Sequence, residues 1–185
     1  MSTPLAVVLP DAKAVKDMLT GLVGKPVGVM PGAPVTPTPK SPVSVAVYVD
    51  PSMNVNALCV MDLGASAYTG AALALLPPGG AQDAVEEDGE LTSMLTEALH
   101  EVVNVLSALF NVPGAPHSKL YKLYAPGDDL PGDIAGSLAD FNRLDLAIDV
   151  PGYGKGGLSL VIPSRALMKA NWVPTLRTWF QSIVP

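Results

Sequence analysis

Glu101 and Asn104 are the residues of this chain whose types and spacing best suit chemistry. They stand three apart in a stretch, 90–111, whose apolar residues repeat at helical spacing, and residues three apart share one face of a helix. A carboxamide offers both a donor and an acceptor and can orient a water molecule. A carboxylate can grip a cation on a partner. Neither group does much alone, and the same stripe is also what a solvated helix face looks like. Glu97 and Ala108 extend it, with His100, Ser107 and Asn111 alongside. Other candidates carry less. Cys59, the single cysteine, has no neighbouring His or Lys to activate it and reads as a buried, inert thiol. It excludes an internal disulfide and a cysteine-rich metal knuckle. His100 and His117 lack the HExxH spacing of a zinc site, and His117 sits in a Pro/Gly loop where exposure is expected. The run Pro151-Gly152-Tyr153-Gly154-Lys155-Gly156-Gly157 is only superficially a phosphate cradle. Such a cradle leads from strand into helix. This run lies between two expected strands and reads as a mobile hairpin turn.

The helix at 90–111 is expected to bury Leu91, Leu95, Ala98, Val102, Val105, Leu106 and Leu109 and to stop at Pro113-Gly114. An acidic loop at 79–89 precedes it, with Asp83, Glu86, Glu87 and Asp88 placed to favour a helix N-terminus. A first helix is expected over 11–23, ended by Gly24, and an alanine-rich one over 65–76, weakened by Gly70. Strands are expected at 26–30, 43–49, 57–63, 119–125, 144–150 and 158–162, with a short helix near 134–141 and a last helix over 164–184. Residues 31–42 carry five prolines and suit a loop or an extended segment crossing an edge.

The order of these elements occurs twice. Strands 26–30, 43–49 and 57–63 answer strands 119–125, 144–150 and 158–162, each set preceded and followed by a helix. Half a sheet cannot bury its own face, so one shared core is expected. The fold class is therefore α+β, with two pseudo-symmetric halves (about 11–76 and 90–183) sharing one antiparallel or mixed sheet with long helices packed on it. The whole chain, 1–185, reads as one domain.

Composition narrows the function. The formal charge of −6 disfavours a nucleic-acid binder, which needs a basic stripe. With 49% hydrophobic and 15% charged residues the chain is not disordered. No apolar run approaches the length of a membrane span, and the Leu5–Leu9 run lacks the basic flank and cleavage site of a signal peptide. A cytoplasmic protein is expected.

Glu101, Asn104 and Pro126 have the spacing E-x2-N-x21-P. This resembles the signature of the CheC/CheX/FliY phosphatases of bacterial chemotaxis, over residues 11–183. Within the family the likeness is nearest to CheX: the first helix offers Asp17-Met18-Leu19-Thr20 and no second motif. The resemblance implies a protein that removes the phosphoryl group from the aspartate of a CheY-like response regulator. Asn104 would orient the attacking water, and Glu101 would dock against the regulator's active-site lysine. Glu97, His100, Ser107 and Ala108 would flank the contact. It implies no cofactor of the chain's own, the Mg2+ being supplied by the regulator, and a homodimer formed through sheet edges. Two positions depart from the pattern: Glu97 stands where Asp or Ser is usual, and Ala108 where a glycine is common. The alternative is a non-catalytic scaffold or signalling module of the FliM type.

Overall fold

The structure, a computed structural model, describes residues 6–164. The helix expected over 164–184 lies outside them. Six strands form one sheet in the order β1-β5-β6-β3-β2-β4, and every pairing is antiparallel. The strands are β1 Gly28–Pro31, β2 Val43–Val49, β3 Val55–Asp62, β4 Lys119–Tyr124, β5 Arg143–Val150 and β6 Gly154–Val161. The helices are α1 Ala12–Val23, α2 Leu63–Leu73, α3 Pro78–Asp83, α4 Ser93–Leu106 and α5 Gly132–Ser137.

The strand order is its own mirror if the halves are exchanged: β1 answers β4, β5 answers β2, β6 answers β3. Each half lends its first strand to the other, β1 pairing with β5 and β4 with β2. The halves therefore share one sheet, as the repeated element order requires, but it carries a hydrophobic cluster on each face rather than the single core expected.

One face of the sheet (Ala46, Tyr48, Ala57, Cys59, Met61, Leu146, Ile148, Leu158 and Leu160) packs beneath α1, α2 and α4. On the other face Val43, Val45, Val47, Leu58, Val60 and Val161 meet Val35 and the α5 residues Ile134 and Leu138. β2 is thus buried along its whole length. The proline-rich segment contributes to this second face. The Val35 N–H donates to Ser159 Oγ, 2.9 Å away, and the Ser159 hydroxyl donates to Asp145 Oδ1 at 2.5 Å. Arg143 completes the clasp, its Nε donating to Asp145 and its Nη1 to the Leu138 carbonyl.

Three more expectations are corrected. Residues 79–89 are not a loop. α3 runs into a π-helical turn, Ala84–Asp88, because Ala81 and Ala84 have a core to bury against. The first turn of α4 holds no acidic residue, and its cap is Thr92, whose hydroxyl accepts from the Leu95 N–H. The glycine run does hold the expected hairpin turn, but a shorter one. The turn is confined to 151–153, and Gly154 to Gly157 belong to β6. Gly156 admits the first turn of α2, because a Cβ there would stand 2.1 Å from the Ala65 nitrogen, whereas a Cβ on Gly154 would meet the Tyr68 ring at 2.6 Å and one on Gly157 would meet Val35 Cγ2 at 2.8 Å. Asp62 ties α2 and β6 together, capping α2 through the Ala65 N–H and accepting the Gly157 N–H, both at 2.7 Å.

Candidate functional site

α4 begins three residues later than the periodicity suggests and ends in a tighter 3-10 turn, Ser107–Phe110. Its buried face comprises Leu95, Ala98, Leu99, Val102, Val103 and Leu106, continued by Leu109 and Phe110. Val105, expected in the core, is 40% exposed. The tightened last turn and the packing of Val103 rotate the stripe by about one residue, which also explains why Leu99 and Val103 are inside.

Two contacts fix where α4 sits. Gly70 of α2 lies at the crossing of the two helices. A Cβ there would be 3.2 Å from both the Leu95 carbonyl oxygen and the Leu99 nitrogen. The glycine that weakens α2 as an isolated helix is what lets α4 approach it. At the other end, the hydroxyl of Tyr48 in β2 donates to the Val103 carbonyl at 2.7 Å in a buried setting. In a regular helix the Ser107 N–H would take that carbonyl. Here it turns to the Asn104 carbonyl instead, and Tyr48 fills the vacancy. The Tyr48 ring also packs on Phe110, with centroids 5.2 Å apart. Burial pushes the Tyr48 phenol well above its usual range, so it remains a donor.

On the opposite face Glu97, His100, Glu101, Asn104 and Ala108 are all exposed. Glu101 is 67% exposed, with the His100 imidazole Nδ1 3.9 Å from its Oε1. The Asn104 carboxamide has no hydrogen-bond partner among the described residues. Ser107 is half-buried and its hydroxyl is engaged, donating to the Asn104 carbonyl at 2.6 Å. Asn111 is structural. It accepts the Ser118 N–H at 2.6 Å and donates to the Ser118 carbonyl at 3.1 Å, closing the connection into β4. Pro126 follows β4 in a turn held by Asp128, whose carboxylate accepts the Ala125 N–H.

The other candidates resolve simply. Cys59 is buried and burial pushes its thiol up to about 12, so it is neither reactive nor accessible. His117 is exposed in the loop before β4. Among the described residues no group of three or more His, Cys, Asp or Glu is placed to hold a metal ion. No described helix is long and apolar enough to cross a membrane. Sequence reasoning missed Tyr48 and Gly70, whose roles are set by residues more than twenty positions away.

The fold is similar to that of solved FliM, FliY and CheX structures. A FliY structure from Thermotoga maritima matches with a TM-score of 0.54 at 14% identity, covering 86% of this chain and 87% of that one. A FliM–SpeE complex from H. pylori matches with a TM-score of 0.54 at 10% identity, covering 82% and 81%. A CheX–CheY–BeF3–Mg2+ complex from Borrelia burgdorferi matches with a TM-score of 0.50 at 14% identity, covering 82% and 94%. Their TM-scores are nearly equal, so the fold does not set CheX apart from FliM or FliY. No protein-family model and no curated protein matches the chain.

Proposed function

We propose that the chain dephosphorylates the aspartyl phosphate of a CheY-like response regulator, with α4 as the catalytic element. The observation that carries this reading is the state of Glu101 and Asn104. They stand three apart on the exposed face of a helix anchored at both ends, and the Asn104 amide is uncommitted within the described residues. Aspartyl phosphate is labile, so a catalyst has only to position water in line with the phosphorus, and positioning plus electrostatics suffices for phosphoryl transfer. The Asn104 carboxamide would hold that water, its oxygen accepting a hydrogen bond from one O–H of the water and leaving a lone pair turned toward phosphorus. Glu101 would pair with a lysine of the regulator and set the register. The magnesium would arrive with the regulator as part of the substrate.

The two side chains should separate in kinetics. Asn104→Ala should leave regulator binding intact and lower the maximal rate by about 100-fold, the scale of a lost positioning group. Glu101→Ala should mainly raise KM. Equal effects on binding from both variants would remove the catalytic role of Asn104.

A non-catalytic partner-binding module is the second reading. Ala108 favours it, because its exposed methyl stands where a bare glycine would let a partner backbone lie flat. The expected homodimer would need an interface other than the sheet edges. β1 has four residues and ends in Pro31, while β4 exposes Lys119 and Lys122 and carries a bulge opposite Val47 and Tyr48. All of these work against edge pairing.

A further inference from the structure

The exposed face of α4 continues toward its N-terminus into an open cavity of about 490 Å³, lined by Ala74, Met94, Glu97, Ala98, His100 and Glu101. Ala74, Met94 and Ala98 give it an apolar side, and Glu97, His100 and Glu101 give it a polar one. Met94 is 58% exposed, and beyond Ala74 the chain leaves α2 through Leu75, 86% exposed. Its rim is anionic. Glu97 and Glu101 are one turn apart, where like charges repel, and among the described residues Glu97 has no cationic partner. An apolar trough ending in an unpaired carboxylate matches a side chain with an aliphatic stem and a cationic head.

We propose that this cavity receives an arginine or lysine side chain of the protein partner, its stem on Met94, Ala74 and Ala98 and its head on Glu97. This is a second cationic contact beside the one assigned to Glu101. It rests on the phosphatase reading only for the identity of the partner. Arginine suits the cavity best, because a guanidinium can bond a carboxylate through two N–H groups.

The first test uses the full chain and small probes. Methyl resonances of Ala74, Met94 and Ala98 are followed by NMR while Nα-acetyl-arginine amide is added, and again with the uncharged isostere Nα-acetyl-citrulline amide. The expected result is saturable shifts at those methyls in the millimolar range. Citrulline should bind at least about threefold more weakly, and Glu97→Gln should weaken the arginine probe by the same factor, the scale of a partly exposed ion pair. Equal titration by both probes, or no saturable shift at these methyls, overturns the proposal. The second test measures Glu97→Gln with the regulator. The dissociation constant should rise about threefold to tenfold, a larger factor than any fall in the maximal rate. A change in rate without a change in binding contradicts the proposal. A regulator that binds but is never dephosphorylated refutes the phosphatase reading and leaves the probe titration as the arbiter of the cavity.

Discussion

Replacing Tyr48 by Phe removes one oxygen from the core and should loosen the turn that carries Asn104. The ring is unchanged, so its packing on Phe110, centroids 5.2 Å apart, is kept. What is lost is the 2.7 Å bond to the Val103 carbonyl. An ordinary buried hydrogen bond contributes about 1 kcal/mol net, but leaving its partner unsatisfied costs about 1–3 kcal/mol. The Val103 carbonyl cannot recover by regular helical bonding while the Ser107 N–H is held by the Asn104 carbonyl. A cost of about 2 kcal/mol is therefore expected, which for a domain of this size lowers Tm by roughly 4–8 °C. Urea denaturation followed by far-UV circular dichroism measures it, and an unchanged m-value would show that the transition itself is the same. A loss below about 0.5 kcal/mol would mean that α4 is not held by Tyr48. A full loss with the exposed face of α4 unperturbed in amide exchange at Asn104 and Val105 would mean that the bond holds the core but not the site.

The remaining predictions concern packing and pH. Gly156→Ala should cost at least about 3 kcal/mol or prevent folding, because the new Cβ meets the backbone nitrogen of Ala65 at 2.1 Å. Gly152→Ala, where the φ of +85° strains a side chain but the space is open, should cost only about 1 kcal/mol by the same denaturation assay. Gly70→Ala should gain about 1 kcal/mol of helix propensity yet push α4 outward by a few tenths of an ångström. Its signature would be altered chemical shifts along Leu95–Leu99 with a small net change in stability. Burial raises the Cys59 thiol from 9.0 to about 12. The folded state therefore keeps a proton that the unfolded state has released. That stability is complete below pH 9 and is lost as pH climbs toward about 12. Cys59→Ala should flatten the fall over this window by up to about 1.4 kcal/mol per pH unit, measured by urea titrations at several pH values.

The doubled element order was legible because strands alternating with proline and glycine punctuation carry local signals. The antiparallel sheet then follows from antiparallel neighbours within each half. The exchange of β1 and β4 between halves was not legible, since it is a long-range pairing that no local pattern encodes. The exposed face of α4 could be read from period and residue type: Glu97, Glu101 and Asn104 are where a helix drawn from the sequence puts them. Val105 was misplaced because an apolar residue next to an apolar stripe looks like part of it, and only the packing of Val103 and Phe110 decides otherwise. The acidic segment misled for a related reason. Its charges hide two alanines, Ala81 and Ala84, that seat it as a helix. The glycines of β6 misled in the opposite direction, because freedom of the backbone and close approach of a neighbour demand the same residue. Sequence alone does not separate these demands at Gly156; the position of Ala65 does.

An uncommitted carboxamide on α4 is proposed to position water for the hydrolysis of a partner's aspartyl phosphate. The most direct test is the decay of phosphorylated response regulators from the same organism, one by one, with wild-type protein, with Asn104→Ala and with buffer. Wild-type protein should speed the decay of at least one regulator, and with Asn104→Ala decay should run at the buffer rate. Decay at the buffer rate with wild-type protein across the whole set, or acceleration that survives Asn104→Ala, would contradict the proposal.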